Sequence, residues 1–245
     1  MVRRLLILMI VLGLAPIAVA DWDVGDPYKM HFPQLPDPFG WDVNTTFPKV
    51  LADDWLCTET GPVTDIHFWG SWRDDFVVPI ANIHLSIHSN IPQGPNGWSV
   101  PGELLWEADL LPGMWTERFW GEGPQGWYDP NTGEVLPENH FGMYQYNVFL
   151  PEPLWFFQEE GTIYWLDISV TPIDPVAQWG WKTSLDHFED DAVWADFPIE
   201  GPDQWIELRD PFTEESLDMA FVITPAPGVL ALFGVACLVG VRRRR

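Results

Sequence analysis

Apolar and polar positions alternate along most of this chain with a period of two. In "PIANIHLSIHSN", Ile83, Leu85 and Ile87 fall on one face and His84, Ser86 and His88 on the other. Successive strand side chains point to opposite faces, so this pattern predicts a strand with one side in a core. "VTDIHFWG" divides in the same way, Val63, Asp65, His67 and Trp69 against Thr64, Ile66 and Phe68. In "SLDMAFVIT", Leu217, Met219, Phe221 and Ile223 alternate with Asp218, Ala220 and Val222. "VLADDWLC", "GELLWEADL", "YQYNVFLPEPLWF", "GTIYWLDISV" and "DQWIELRD" add further strands between Pro and Gly turns. Pro27, Pro33, Pro36, Pro38 and Pro48 make residues 21–50 an extended lead-in. No part of this middle segment holds a helical period. The pattern predicts one all-β domain over residues 21–223, an antiparallel β-sandwich of jelly-roll-like topology, with an immunoglobulin-like sandwich second.

Two apolar runs frame that domain, and both are expected to be helical. Arg3 and Arg4 precede the run Leu5–Leu14, and Ala18-Val19-Ala20 fits the A-x-A cleavage pattern. Residues 1–20 are therefore expected to be a secretory signal, with Ala18 and Ala20 at the cleavage site. At the other end, residues 229–241 would form a helix about 20 Å long, short against a bilayer core of about 30 Å. Pro225 and Pro227 block its upstream extension, and Arg242, Arg243, Arg244 and Arg245 would stay on the cytoplasmic side. This order of parts predicts a membrane anchor over residues 224–245, transient or permanent.

Charge narrows the partners. All 36 acidic residues lie between the two runs, against six Lys and Arg there, a formal charge of −30. Such a surface repels nucleic acid and anionic membranes. Only Cys57 falls inside the domain, so no internal disulfide is available. All 16 Trp do fall inside it, enough aromatic area for a core without covalent staples.

The tail resembles the PEP-CTERM sorting signal, a Pro-Glu-Pro motif followed by a short apolar helix and an Arg cluster. Here Pro225-Ala226-Pro227 stands at the motif. The resemblance implies processing by an exosortase-like enzyme after export, leaving the domain at a bacterial surface or in its matrix. "ADDWLCTETGPVTDIHFWGSWRDD", "HLSIHSNIP", "YWLDISV", "WGWKTS" and "LDMAFVIT" carry a second resemblance over roughly residues 40–223. It is to an uncharacterised domain of secreted bacterial proteins that carry such tails. That resemblance implies a β-sandwich and no activity.

Candidate chemistry is sparse. His84 and His88 on one strand lie about 13 Å apart and cannot share an ion. Calcium favours clustered carboxylates, and Asp190 and Asp191, then Asp53 and Asp54, are its candidate ligands. No G-x-S-x-G or H-E-x-x-H motif occurs, and no catalytic residue is assigned. Trp98, Trp115, Trp120 and Trp127 lie among Gly and Pro, where their rings would be exposed. Trp179 and Trp181 flank a glycine beside Lys182. Exposed indoles suit sugars, so the expected function is a non-catalytic, polysaccharide-binding or structural surface protein. The alternatives are a secreted carbohydrate-active hydrolase and a purely architectural surface protein.

Overall fold

The computed structural model describes residues 21–94 and 97–225. The expected signal segment with Ala18 and Ala20 lies outside the described residues. So does the tail from Ala226 through Pro227 to Arg242–Arg245. Among the described residues fifteen strands are formed. The first five are β1 (Trp41–Asn44), β2 (Lys49–Leu56), β3 (Gly61–Val63), β4 (Asp65–Trp72) and β5 (Ile80–Ile91). Then come β6 (Val100–Leu110), β7 (Trp115–Asp129), β8 (Glu134–Phe149), β9 (Phe156–Gln158) and β10 (Ile163–Pro172). The last are β11 (Trp179–Ser184), β12 (Val193–Asp196), β13 (Ile206–Glu207), β14 (Asp218–Met219) and β15 (Phe221–Thr224).

The fold is all-β and β-sandwich-like. One sheet has the order β14-β11-β1-β7-β8-β4-β15, the other β13-β12-β2-β10-β5-β6. β11 pairs with both β1 and β4, so the five strands β11-β1-β7-β8-β4 close into a ring. One departure from the antiparallel expectation lies in that ring, where β1 runs parallel to β7. No hairpin joins strands so distant in sequence, so no turn dictates their direction. A second departure is β7 itself. The stretch with Gly121, Gly123, Pro124 and Gly126 reads as turns, yet it is one 15-residue strand with three register shifts against β8. Gly126 lies beneath the ring of Trp41, where any Cβ would overlap it. Here glycine marks close approach rather than a loop.

Both sheets contribute to one core. Leu51 and Trp55 of β2, Leu85 and Ile87 of β5 and Ile168 of β10 join Phe68, Trp181 and Phe221 from the opposite sheet. Trp55, Trp69, Trp72, Trp127, Trp165, Trp179 and Trp181 are fully buried. Each removes roughly 4–6 kcal/mol worth of apolar area from water before the entropy of ordering is counted. Cys57 is a buried free thiol. The lead-in is more than a connector, because Trp22 packs edge-on against Trp69 and covers the outer side of β4. That cover buries His67, whose Nδ1 lies 2.6 Å from Asn147 Oδ1. Burial pulls its imidazole down to about 4, so it is neutral in the fold.

Candidate functional site: a cleft on the outer face of one sheet

β10, β5 and β6 are neighbours, and their registers align side chains in rows. Asp167, Ser86 and Glu107 form one row, Ser169, His84 and Asp109 the next. Ile83, Leu85 and Ile87 are buried in the core, so His84, Ser86 and His88 stand on the outer face. The β2 and β12 half of that face is covered by a second apolar cluster. Val50, Ala52, Trp165, Val193, Ala195 and Trp205 form it, with Trp98, Phe197 and Ile199 packed on them. Past Phe197 the cover ends: Glu107 and Asp109 are exposed and His84 is half-buried, while Ser86, Asp167 and Ser169 are buried behind them.

Two adjoining hollows of about 610 and 280 Å³ result, sharing His84 and Phe197. In the larger, Phe47 and Phe197 form an aromatic wall, their rings stacked with centroids 6.0 Å apart. Its floor is Asn82, His84, Asp109, Ser169 and Thr171. Asn82 Nδ2 donates to Asp109 Oδ1 at 3.0 Å, and His84 Nδ1 lies 3.1 Å from the same oxygen. These hydrogen bonds, that of Asn82 first, hold the Asp109 carboxyl below the usual range.

The smaller hollow contains Ser86, His88 and Asp167. The Ser86 hydroxyl donates to Asp167 Oδ1, and His88 Nε2 lies 3.1 Å from Asp167 Oδ2 and 2.9 Å from Ser86 Oγ. His88 Nδ1 faces the Gly102 carbonyl at 3.1 Å. Burial alone would lower His88, but the Asp167 hydrogen bond and charge prevail and raise it. The composition is that of an acyl-transfer triad, the arrangement is not. In a triad the carboxylate holds one ring nitrogen and the hydroxyl meets the other. Here both crowd Nε2, and Nδ1 is occupied by a carbonyl. The Ser86 proton is directed at Asp167 rather than at the imidazole.

The six tryptophans singled out from the sequence do not share a surface. Trp127, Trp179 and Trp181 are fully buried, which corrects the expectation that their rings meet a ligand. They lie on β7 and β11, strands of the closed ring, not on loops. Trp115 and Trp120 are half-buried against the main core, Trp120 edge-on to Trp69 and 5.1 Å below the Arg118 guanidinium. Trp98 packs on the second cluster. The cleft walls are phenylalanines, Phe47 and Phe197, which sequence reasoning passed over. One signal for the site was legible: the polar face of β5 is matched by Asp167, Ser169 and Thr171 on β10.

The four acidic candidates converge on one end of β2. Asp53 points inward, its Oδ2 accepting from Gln34 Nε2 at 2.8 Å and Met219 N at 2.7 Å. Asp54 points to the opposite face and is also fully buried. Burial first, then the charges of Asp53, Asp218, Glu189 and Asp190, hold its carboxyl well above the usual range. Asp190 Oδ2 accepts from Ser99 N at 2.9 Å, and Asp191 lies 3.2 Å from Arg209. Among the described residues no three His, Cys, Asp or Glu side chains form a ready-made metal ligand set.

Fold and site together define a β-sandwich-like protein with an aromatic-walled polar cleft on one sheet. Residues 30–224 match the family described as "Domain of unknown function (DUF7901)", and the chain belongs to that family. The expected uncharacterised domain is therefore present, beginning some ten residues earlier than the roughly 40 expected. No curated protein and no solved structure matches the chain.

Proposed function

We propose that the cleft on β10, β5 and β6 binds a neutral polysaccharide, and that the protein is an exported, surface- or matrix-associated glycan-binding component. One observation carries this reading. The stacked Phe47–Phe197 wall stands over a floor of amide, imidazole, carboxylate and hydroxyl groups. A sugar ring presents an apolar face to such a wall and hydroxyl edges to such a floor. The formal charge of −30 on the domain disfavours anionic polymers. The sandwich is read as jelly-roll-like, because the chain passes from one large sheet to the other between β1 and β2, β6 and β7, and β10 and β11. Export rests on residues 1–20, and attachment on the Pro225-Ala226-Pro227 tail processed by an exosortase-like enzyme.

The test is a glycan array probed with full-length protein in detergent, followed by titration of the best hit. Phe197→Ala and His84→Ala are each expected to weaken binding about 10- to 100-fold, the size of a lost stacking or buried polar contact. Trp98→Ala and Trp115→Ala are expected to leave it unchanged. A folded protein silent across the array would remove the glycan reading in favour of an architectural role.

A second reading, a carbohydrate-active hydrolase, has one observation in its favour. Asp167 and Glu107 flank Ser86 in a single row, two strand spacings or about 10 Å apart at Cα. Glycosidase carboxyl pairs are about 5–9.5 Å apart. Release of reducing sugar from the bound polymer, abolished by Glu107→Gln, would replace the binding reading with this one.

A further inference from the structure

We infer that Lys182 and Asp42 join in an intramolecular amide, a covalent bond between β11 and β1 that the folded chain makes by itself, with His140 relaying the proton. Three side chains meet at one oxygen. Lys182 Nζ lies 3.0 Å from Asp42 Oδ2, and His140 Nε2 lies 2.8 Å from the same atom. All three residues are fully buried, and so is every residue of β1 and β11 around them. Asp42 is in register with Lys182 on one side and with Trp127 on the other. The Trp127 indole stands edge-on to the His140 ring, centroids 6.4 Å apart. Any Cβ on Gly180 would overlap both Asp42 and Trp127, so β11 packs tightly against the pair. Amine, carboxyl carbon and proton carrier are thus held together in a site closed to water. Such a site turns a bimolecular condensation into an internal one.

The charges favour the same product. Burial pushes the Lys182 ammonium below its ordinary range, against the pull of Asp42. Asp42 Oδ1 has no hydrogen-bond partner among the described residues, so the carboxylate is an incompletely met buried anion. An amide replaces both buried charges with one neutral group. The step starts from the ion pair. A proton passes from Nζ to Oδ2 along their hydrogen bond, leaving an amine and a carboxylic acid. The Gly40 carbonyl, 2.9 Å from Nζ, keeps the amine in place. Nζ attacks Cγ and forms the C–N bond, while a nitrogen proton moves through His140 Nε2 to Oδ2. The Cγ–Oδ2 bond breaks and Oδ2 departs as water. The chain loses one H2O, Oδ1 remains as the amide oxygen, and nothing is oxidised or reduced. Until the bond forms, charge alone holds the pair, so the ion-pair cost of losing Lys182 is read on protein not yet linked. The bond would tie together residues 140 positions apart in a domain whose one cysteine is a free thiol. It depends neither on the cleft nor on any sugar.

The experiment takes full-length protein at intervals after synthesis, denatures it, digests it with trypsin and reads the peptides by mass spectrometry. The expected product is a branched peptide joining residues 30–49 to residues 119–209, uncut at Lys182 and lighter than the two together by one water. Lys182→Arg keeps a cation beside Asp42 without a condensing amine, and should give no branch. Asp42→Ala should give none either. His140→Gln should slow its formation about 100-fold or more, the size of a lost proton relay. The linked protein should unfold about 10–20 °C above Lys182→Arg, as expected for closing so long a loop. Folded wild-type protein that is cut at Lys182 at every interval overturns the inference. So does a branch that persists in Lys182→Arg, and formation at the wild-type rate in His140→Gln overturns the relay.

Discussion

Lys182→Met is expected to destabilise the protein by about 3–5 kcal/mol, the cost of leaving one member of a buried ion pair without the other. Lys182 on β11 and Asp42 on β1 are direct cross-strand partners in the closed ring. Both are fully buried, as is His140 of β8. Lys182 Nζ donates to Asp42 Oδ2 at 3.0 Å and to the Gly40 carbonyl at 2.9 Å, and His140 Nε2 meets the same carboxylate oxygen at 2.8 Å. Burial alone would raise Asp42, but Lys182 and then His140 outweigh it and hold the carboxyl below its ordinary value. Asp42 is thus an anion in the interior, and its Oδ1 already has no hydrogen-bond partner among the described residues. Removing Lys182 leaves the His140 imidazole as the remaining side-chain partner of that oxygen. For a domain of this size the thermal midpoint should fall by about 10 °C. Adding Asp42→Leu to Lys182→Met should recover most of the loss, because a well-packed apolar pair replaces a buried ion pair at little net cost. Guanidinium unfolding of the two variants decides the point. A loss under about 1 kcal/mol for Lys182→Met would show that water reaches the pair.

Legibility in the sequence followed how local each cause was. β5 was readable because one of its faces is core and the other is open, so side-chain polarity reports orientation directly. β4 also alternates, yet both of its faces are buried. Trp22 supplies the second cover from a distance that periodicity cannot register. β7 was unreadable for a related reason. Gly126 answers to Trp41 and Gly123 to the Pro38 carbonyl, neither of which is near in sequence. The tryptophans failed as a guide because composition says that indoles are buried without saying which. Gly and Pro neighbours suggested exposure, but in this fold they mark strands pressed against other backbone. The Asp53-Asp54 doublet shows the same boundary. Period two sends the pair to opposite faces, as found, but only the path of residues 187–191 and of β14 brings other carboxylates to them. The cleft lies between these cases, with its polar rows visible strand by strand and its aromatic wall assembled from loops about 150 residues apart.

Gly70→Ala is expected to cost about 3 kcal/mol or more, at or beyond the upper end of ordinary overpacking. Gly70 pairs with Trp181 where β4 meets β11, the seam that closes the ring. An added Cβ would overlap Cζ2 of Trp179 and the carbonyl oxygen of Gly180. Neither neighbour has room to yield. The Trp179 ring is fixed edge-on by Phe68 at 5.9 Å and Tyr146 at 5.3 Å, and the carbonyl is backbone within the same seam. The same change at Gly121 meets nothing within 4 Å and should fall within about 0.5 kcal/mol of wild type. Combining Gly70→Ala with Trp179→Phe removes the indole but leaves the Gly180 oxygen, so recovery should be partial, and the two sites should couple measurably in a double-mutant cycle. Additive effects would place the strain in the backbone alone. A Gly70→Ala protein as stable as wild type would mean that β4 and β11 separate there, and the ring of strands would be open in solution.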